Sequence, residues 1–555
     1  MSRTLTPDSS LETLKKEAKR WLKALRTGEE PARQRLVAAM PAAPANPSLR
    51  DVQLALAREH GLSGWAALRT ALDDLAMARR SISERVDIVL RSAWGGDPAA
   101  AARILTRWPE IATHNLYIAA ATGNLAEVER RLAADPAVAA RKGGPLDWEP
   151  LLYVAYARLP GGERHAIDLA RALLDHGADP NAQFDDGWGN PFKVLTGVIG
   201  QGEGNKPPHP QASDLAILLI ERGADPYDSQ ALYNTSITRD DTTWLDFLWT
   251  WSERRDRLEK WRDNAWKIGG NVPLNALDYL LGNAVAYNHL RRAEWLLMHG
   301  ANADGVHAYS KRLLREEALI YGHTAMADLL VRYGAAEPPL EGEAAFQAAC
   351  MRLDKDAARK LAEQNPECLR NPAPMLTAAR QGRADVVALL LELGMDVDVA
   401  DGIEQRGLQV AVAGGSLEVV KLLVAHGTAI DRPTTSFGGG AMGYAAHFDR
   451  REIAAYLAPL SRDVHELTYL GMADRLRELF AEEPQLVNAV TPKARFTPLF
   501  CLPNDEDEAV DMTALLLAHG ADPNVVDKDG LTAEQHARKR GLIDAADLMV
   551  SGDAA

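Results

Sequence analysis

Residues 173–181 read LLDHGADPN and residues 515–524 read LLLAHGADPN. A phrase of this length written twice in one chain marks a reused structural unit, and it constrains the fold more than any other feature. Weaker copies stand between. ERGADP ends at Pro226, MHGANAD spans Met298 to Asp304, and RYGAAE spans Arg332 to Glu337. ELGMDVD and AHGTAID follow, with glycines at Gly394 and Gly427. Gly300 to Gly334 is 34 residues and Gly394 to Gly427 is 33, with Gly322, Gly382 and Gly415 each twelve residues before a glycine of this set.

The clearest copy is GSLEVVKLLVAHG, Gly415 to Gly427. Leu417, Val420, Leu423 and Val424 fall at helical spacing and make one apolar stripe. The following glycine suits a left-handed C-terminal cap, a conformation that is costly for a residue with a Cβ. The His before it (176, 299, 426, 519) sits where a donor can meet carbonyls left unpaired at the helix end. Ala-Asp-Pro-Asn then turns the chain outward. This phrase, at a period near 33 residues, resembles the ankyrin repeat family.

A second half of the unit reads as a helix start. Glu149-Pro150-Leu151, Asn190-Pro191-Phe192 and Thr497-Pro498-Leu499 each put a capping side chain before a proline at the first helical turn. They resemble the family's Thr-Pro-Leu-His signature, with the His replaced in all three, and DGLTAEQHARKRG (Asp529 to Gly541) matches it with Ala533 in the proline slot. Copies begin near Ser83 and Asn115, then near Pro150, Pro191, Gln230, Asn275, Lys311, Gly342, Pro374, Glu404, Gly440, Asp463, Pro498 and Thr532. The expected fold is all-α, an ankyrin-repeat solenoid of about 13–14 helix pairs over 81–555 behind an N-terminal helical cap at 1–80. Stacked repeats account for 555 residues with no Ser- or Pro-rich linker, because each unit buries its faces on its neighbours. Gly177 to Gly223 is 46 residues, and the excess shows as the loop GQGEGNKPPHPQ, Gly200 to Gln211.

Residues 1–80 differ. LETLKKEAKRWLKALRTG places Leu11, Leu14, Ala18, Leu22 and Leu25 on one face, and the first 26 residues hold seven basic and three acidic groups. A membrane- or nucleic-acid-binding helix is one reading. Packing of the Leu face on the first repeat is the other, and the one adopted. SLRDVQLALAREHGLSGWAALRTAL (Ser48 to Leu72) resembles the helical leader ahead of bacterial ankyrin arrays. The N-terminus lacks an apolar signal core, no stretch reaches the apolar length of a membrane span, and three cysteines without a CxxC pair cannot build a disulfide framework. Cytoplasm is therefore expected, with no membrane partner. The net charge of −15 argues against general nucleic-acid binding.

Catalytic signatures are missing: there is no HExxH, GxSxG, Walker loop or GxGxxG before a strand. SFGGGAMGYAA (Ser436 to Ala446) invites comparison with a phosphate loop. Aligned on its alanines, it puts Gly440 in the Thr slot and Met442 in the Leu slot, which makes it a degenerate repeat hairpin. PNDEDEAVD (Pro503 to Asp511) fits a helix N-terminus better than a cation site. His165 and His209 have no place in the repeat, yet neither has a Cys or second His at ligand spacing. No metal or cofactor is expected.

The least ordinary stretch is Thr238 to Gly270, which holds Trp244, Trp249, Trp251, Trp261 and Trp266 of the chain's 12 tryptophans. The resemblance implies a surface of hairpins and inner helices that binds a partner protein. Trp148, Trp188, Asp240, Asp241 and Trp244 are the candidate contacts, with the Gly200–Gln211 loop between them, because Trp offers large contact area at low entropy cost. The opposing reading is core: Trp244, Phe247, Leu248 and Trp251 make a buried-face stripe, and Trp148, like Phe496, can staple the start of the next helix. The alternative function is an unusual enzyme or small-molecule binder with an aromatic and carboxylate pocket around 148–266. Asp240, Asp241 and Asp246 would be its catalytic groups. DDTTWLD loosely resembles the Asp-rich motif of terpene cyclases, with the third Asp two positions late. The function expected first is an interaction scaffold.

Overall fold

The computed structural model describes residues 3–551 except 7–8, 160, 186, 188, 203–205, 267, 269–271 and 436–438. Four helices, Leu11–Arg26, Glu30–Ala39, Leu49–Glu59 and Trp65–Arg79, come first. Ser10 caps the first through the Thr13 N–H, and Ser48 with Asp51 closes a capping box on the third. Leu14, Ala18 and Leu22 pack with Leu36, Val52, Leu56 and Leu68 in a core of their own. The Leu face is thus buried within the leader, against Leu49–Glu59, and not on the first repeat as expected. Arg35 binds Glu17 and Glu59, both at 2.6 Å, and lies 3.8 Å over the Trp21 ring. Part of the basic character of this segment is therefore spent internally.

Helix pairs then follow in the expected order, from Ile82–Ser92 with Pro98–Arg107 to Ala533–Lys539 with Ile543–Ser551. The repeated phrase has a physical account at each letter. In the second helix of a regular pair, Leu417–Ala425, Val419, Val420 and Leu423 are fully buried. Gly427 and Gly520 end their helices at φ of +83° and +89°. His176, His299, His426 and His519 each place Nδ1 2.6–2.9 Å from the carbonyl four residues back, an N–H donated to an orphan helix-end oxygen. The final Asn of the first copy joins neighbours: Asn181 donates to the Gly223 carbonyl and accepts from the Asp225 N–H, and Asn488, which lies outside the phrase, makes the same two bonds with Gly520 and Asp522.

Two helix starts differ from expectation. Pro191–Lys193 is a strand paired antiparallel with Gln183–Asp185, and the helix begins only at Val194. Phe184 stacked on Phe192 at 5.4 Å holds the hairpin extended. Pro498–Phe500 is one 3-10 turn, and Thr497 makes no capping bond. Here Pro503 follows five residues after Pro498, too soon for a helix of ordinary length. Glu149 also makes no side-chain cap, although Pro150 does open its helix.

The chain divides into two units, Met1–Leu319 with His323–Pro338, and Ile320–Gly322 with Pro339–Ala555. In the second, the first helices of successive pairs touch in series: Ala373–Arg380, Gly407–Gly414, Ala441–His447, Val464–Tyr469, Pro498–Phe500 and Ala533–Lys539. Their second helices form a separate layer.

Candidate functional site

The aromatic residues singled out in the first unit are mostly interior. Trp148 is 6% exposed, stacks on Phe184 at 4.3 Å and lies 5.4 Å from Tyr153. That is the staple geometry, one residue before the cap against one in the first helical turn. Trp244 is 9% exposed and packs edge-on to Phe247. Trp249, Trp261, Trp295 and His299 form one cluster, with Trp295 stacked on His299 at 3.7 Å. Trp261 donates to Ser252 Oγ at 2.9 Å, and Trp266 stacks on Tyr279 at 4.3 Å. Trp188 lies outside the described residues.

The carboxylates have structural partners. Asp240 accepts the N–H groups of Arg291 and Arg292, at 3.2 and 3.0 Å, in the first turn of Leu290–Met298. Asp241 accepts the Thr243 N–H at 3.2 Å, and its carbonyl accepts from the buried Arg292 guanidinium at 2.8 Å. Burial pulls Arg292 down to about 10 despite both aspartates. Asp246 stands 3.5 Å from the Trp295 indole nitrogen. Among the described residues no hydrogen bond or ring contact joins Trp148 to Asp240, Asp241 or Trp244. The described part of the Gly200–Gln211 loop is tied down, Lys206 donating to the Trp94 carbonyl and Pro207 accepting from Arg158. His209 is buried in it, and burial followed by Arg158 pushes its ring down to about 4. His165 is exposed.

A different place is open. In the second unit a cavity of about 410 Å³ lies where the first-helix layer is interrupted by the Pro498–Phe500 turn. Tyr444, His447 and Phe448 come from the end of one first helix, and His465, Glu466 and Tyr469 from the next. Phe496, Phe500 and Cys501 flank the turn, and Arg540 closes the far side. Phe496 and Phe500 stack at 5.0 Å and both meet His536 edge-on. Phe448 is 40% exposed at the rim.

Glu466 stands over Gly439 and Gly443; a Cβ on Gly443 would come within 2.8 Å of its Oε1. Burial first, then Asp463, pushes this carboxyl up to about 7, against the opposing pull of His465. His465 donates from Nε2 to the carbonyls of Ala489 and Phe496, both at 3.0 Å, while Nδ1 lies 3.5 Å from Asp463. Burial alone would lower its pKa, but Asp463 and the two carbonyls hold it above the usual range. Burial pushes the Cys501 thiol up to about 12, so it stays protonated and is a poor nucleophile. Arg540 is occupied by the Leu502 and Pro503 carbonyls and Asn504 Oδ1. The lining thus combines a perturbed carboxyl, a perturbed imidazole, aromatic walls and a protonated thiol.

The repeat pattern does not single out this cavity. Gly440 caps a helix in which Met442 is buried, as the degenerate hairpin requires, while Ser436–Gly438 lie outside the described residues. PNDEDEAVD is a cap, Asp505 accepting from Asp507 and Glu508, and no metal-holding cluster exists among the described residues. The signal for the cavity was the spacing of Pro498 and Pro503, which shortens one helix.

Paired antiparallel helices, left-handed glycine caps and Asn-linked turns define a helical-repeat protein of the ankyrin class. The chain contains ankyrin repeats: residues 375–468 match the model for ankyrin repeats (3 copies). It is 27% identical over 197 residues to the ankyrin repeat protein YahD of Escherichia coli (strain K12), covering 33% of this chain and 97% of that one. It is 29% identical over 184 residues to ankyrin repeat and SAM domain-containing protein 6 of Danio rerio, covering 30% of this chain and 24% of that protein's length. One solved structure, the Bd0816 predatory endopeptidase of Bdellovibrio bacteriovorus in complex with immunity protein Bd3460, aligns with a TM-score of 0.26 and 21% identity. That alignment covers 32% of this chain and 96% of the solved one.

Proposed function

We propose that this protein is an interaction scaffold that binds a partner protein on the first-helix layer of its second unit, around 439–540. Ankyrin repeats typically bind proteins. The observation that carries the placement is the open aromatic cavity beside Pro498–Phe500, in a layer whose other first helices pack on one another. Trp148, Asp240, Asp241 and Trp244 have packing or capping partners, which favours a structural role for them over a contact role. Cytoplasm is the compartment we propose, since Cys350, Cys368 and Cys501 are all free thiols and no described helix is long and apolar enough to cross a membrane.

The test is site-specific photocrosslinking in cells. A benzophenone amino acid at Phe448 should trap a partner protein; the same group at Lys421, exposed on a second helix, should not. Equal capture from both positions, or none from Phe448, would count against this face.

A further inference from the structure

We propose that the cavity walled by Tyr444, Phe448, Phe496 and Phe500 and floored by Glu466 receives one cationic side chain, a lysine or arginine, of the bound protein. This rests on the reading that the first-helix layer is the binding face. It goes further by naming the chemistry of the anchor.

Three observations converge. Aromatic faces attract cations through their quadrupole, most strongly where water is excluded. At the floor is a carboxylate that makes no hydrogen bond among the described residues; the bonds of Glu466 are made by its backbone, whose N–H donates to Asp463 and whose carbonyl accepts from the Leu470 N–H. An apolar guest would leave that group desolvated and unpaired, an anion would repel it, and an ammonium or guanidinium would satisfy it. Glycines at 439 and 443 leave the space the carboxylate occupies. The surroundings agree in sign. Residues 339–555 carry 21 Lys and Arg against 34 Asp and Glu, so nearly all of the chain's −15 formal charge lies in this unit. Arg540, the one guanidinium in the lining, is held by three acceptors of its own.

Protonation should tune the site. A cation is attracted by the ionised form of Glu466, whose carboxyl burial and Asp463 push up to about 7. The other groups facing it are Asp463, His465, His447, Cys501 and Arg540. Of these, His465 loses positive charge as pH rises, which acts in the same direction. Affinity for a cation should therefore increase by about tenfold from pH 6 to pH 8.

The probes are N-acetyl-lysine methylamide, N-acetyl-arginine methylamide and the neutral isostere N-acetyl-norleucine methylamide, titrated into the full chain by saturation-transfer NMR. Lysine or arginine probes should bind at least tenfold more tightly than norleucine. Glu466→Gln, matched for folding by circular dichroism and melting, should remove that preference and most of the pH dependence. Phe448→Ala, at the exposed rim, should weaken both cations several-fold. Norleucine binding as well as lysine, or an unchanged preference in Glu466→Gln, would overturn the cation assignment. If Phe448 crosslinks a partner while the probes show no charge preference, the face stands and the anchor chemistry fails. If the probes discriminate but no partner is trapped, the pocket stands and the scaffold reading fails.

Discussion

Two stretches of this chain combine aromatic residues with carboxylates, and they do opposite things. In 240–270 the indoles face inward: Trp261 and Trp266 are fully buried, and Asp240 and Asp241 cap helices. In 439–540 the rings of Tyr444, Phe448, Phe496 and Phe500 line a cavity, and the Glu466 carboxylate lies among them. Density of aromatic residues does not separate the two; the first stretch has more. What separates them is whether each helix has a full-length neighbour. Helix Thr243–Arg254 is long enough for Trp249 to reach Trp261 and Trp295, whereas Pro498–Phe500 supplies a single turn, and beside it a cavity opens with Tyr444 and Phe500 in its walls and Phe448 exposed at its rim.

The largest effect expected from this contrast is on folding. Trp261→Ala removes a fully buried indole and strands Ser252, and should destabilise the first unit by about 3–5 kcal/mol in denaturant titrations. Phe448→Ala, half-exposed at the cavity, should shift stability by under about 1 kcal/mol. If the two variants unfold alike, the distinction between core and cavity aromatics collapses.

Next in size is a pH effect confined to the cavity. The folded protein holds the Glu466 proton up to about pH 7, and the unfolded chain only to about 4.5. The folded state therefore binds more protons between these values, and its stability falls as pH rises through that window and not beyond. Glu466→Gln should match wild type near pH 4 and exceed it by roughly 3 kcal/mol at pH 8. Melting curves at both pH values decide this, and a variant less stable than wild type at pH 8 would mean the carboxylate is well compensated.

A regular repeat provides the reference for both regions. Gly427 has φ of +83° and open space around it, so Gly427→Val should cost about 1–3 kcal/mol through backbone strain alone. Unfolding should then proceed in segments, because contacts in a repeat array are between neighbours. Wild-type melting would sink the cap assignment.

The smallest effect tests the carboxylates of the first region. Asp240→Ala should lower stability by about 1 kcal/mol as a lost helix cap. Unaltered stability together with loss of partner binding would reverse the comparison and return the site to 240–270.

How much was legible in advance follows from the range of the interactions. The ankyrin class, the order of helix pairs, the glycine caps and the capping histidines could be read from the chain, since each depends on residues within about one turn of one another. The same holds for the staple at Trp148 and Tyr153. Where the Leu11–Leu25 face packs could not be read, because an amphipathic stripe states that a face is buried and not against what. Nor could the fates of Asp240 and Glu466, both carboxylates beside aromatic residues, be told apart by residue type. Asp240 meets Arg291 and Arg292 from the following helix pair, and Glu466 meets Gly439 and Gly443 from the preceding one. The sequence determined which helices form and how they end; only tertiary packing decided which aromatic faces were covered, since covering a ring requires a neighbour of sufficient length at the same height.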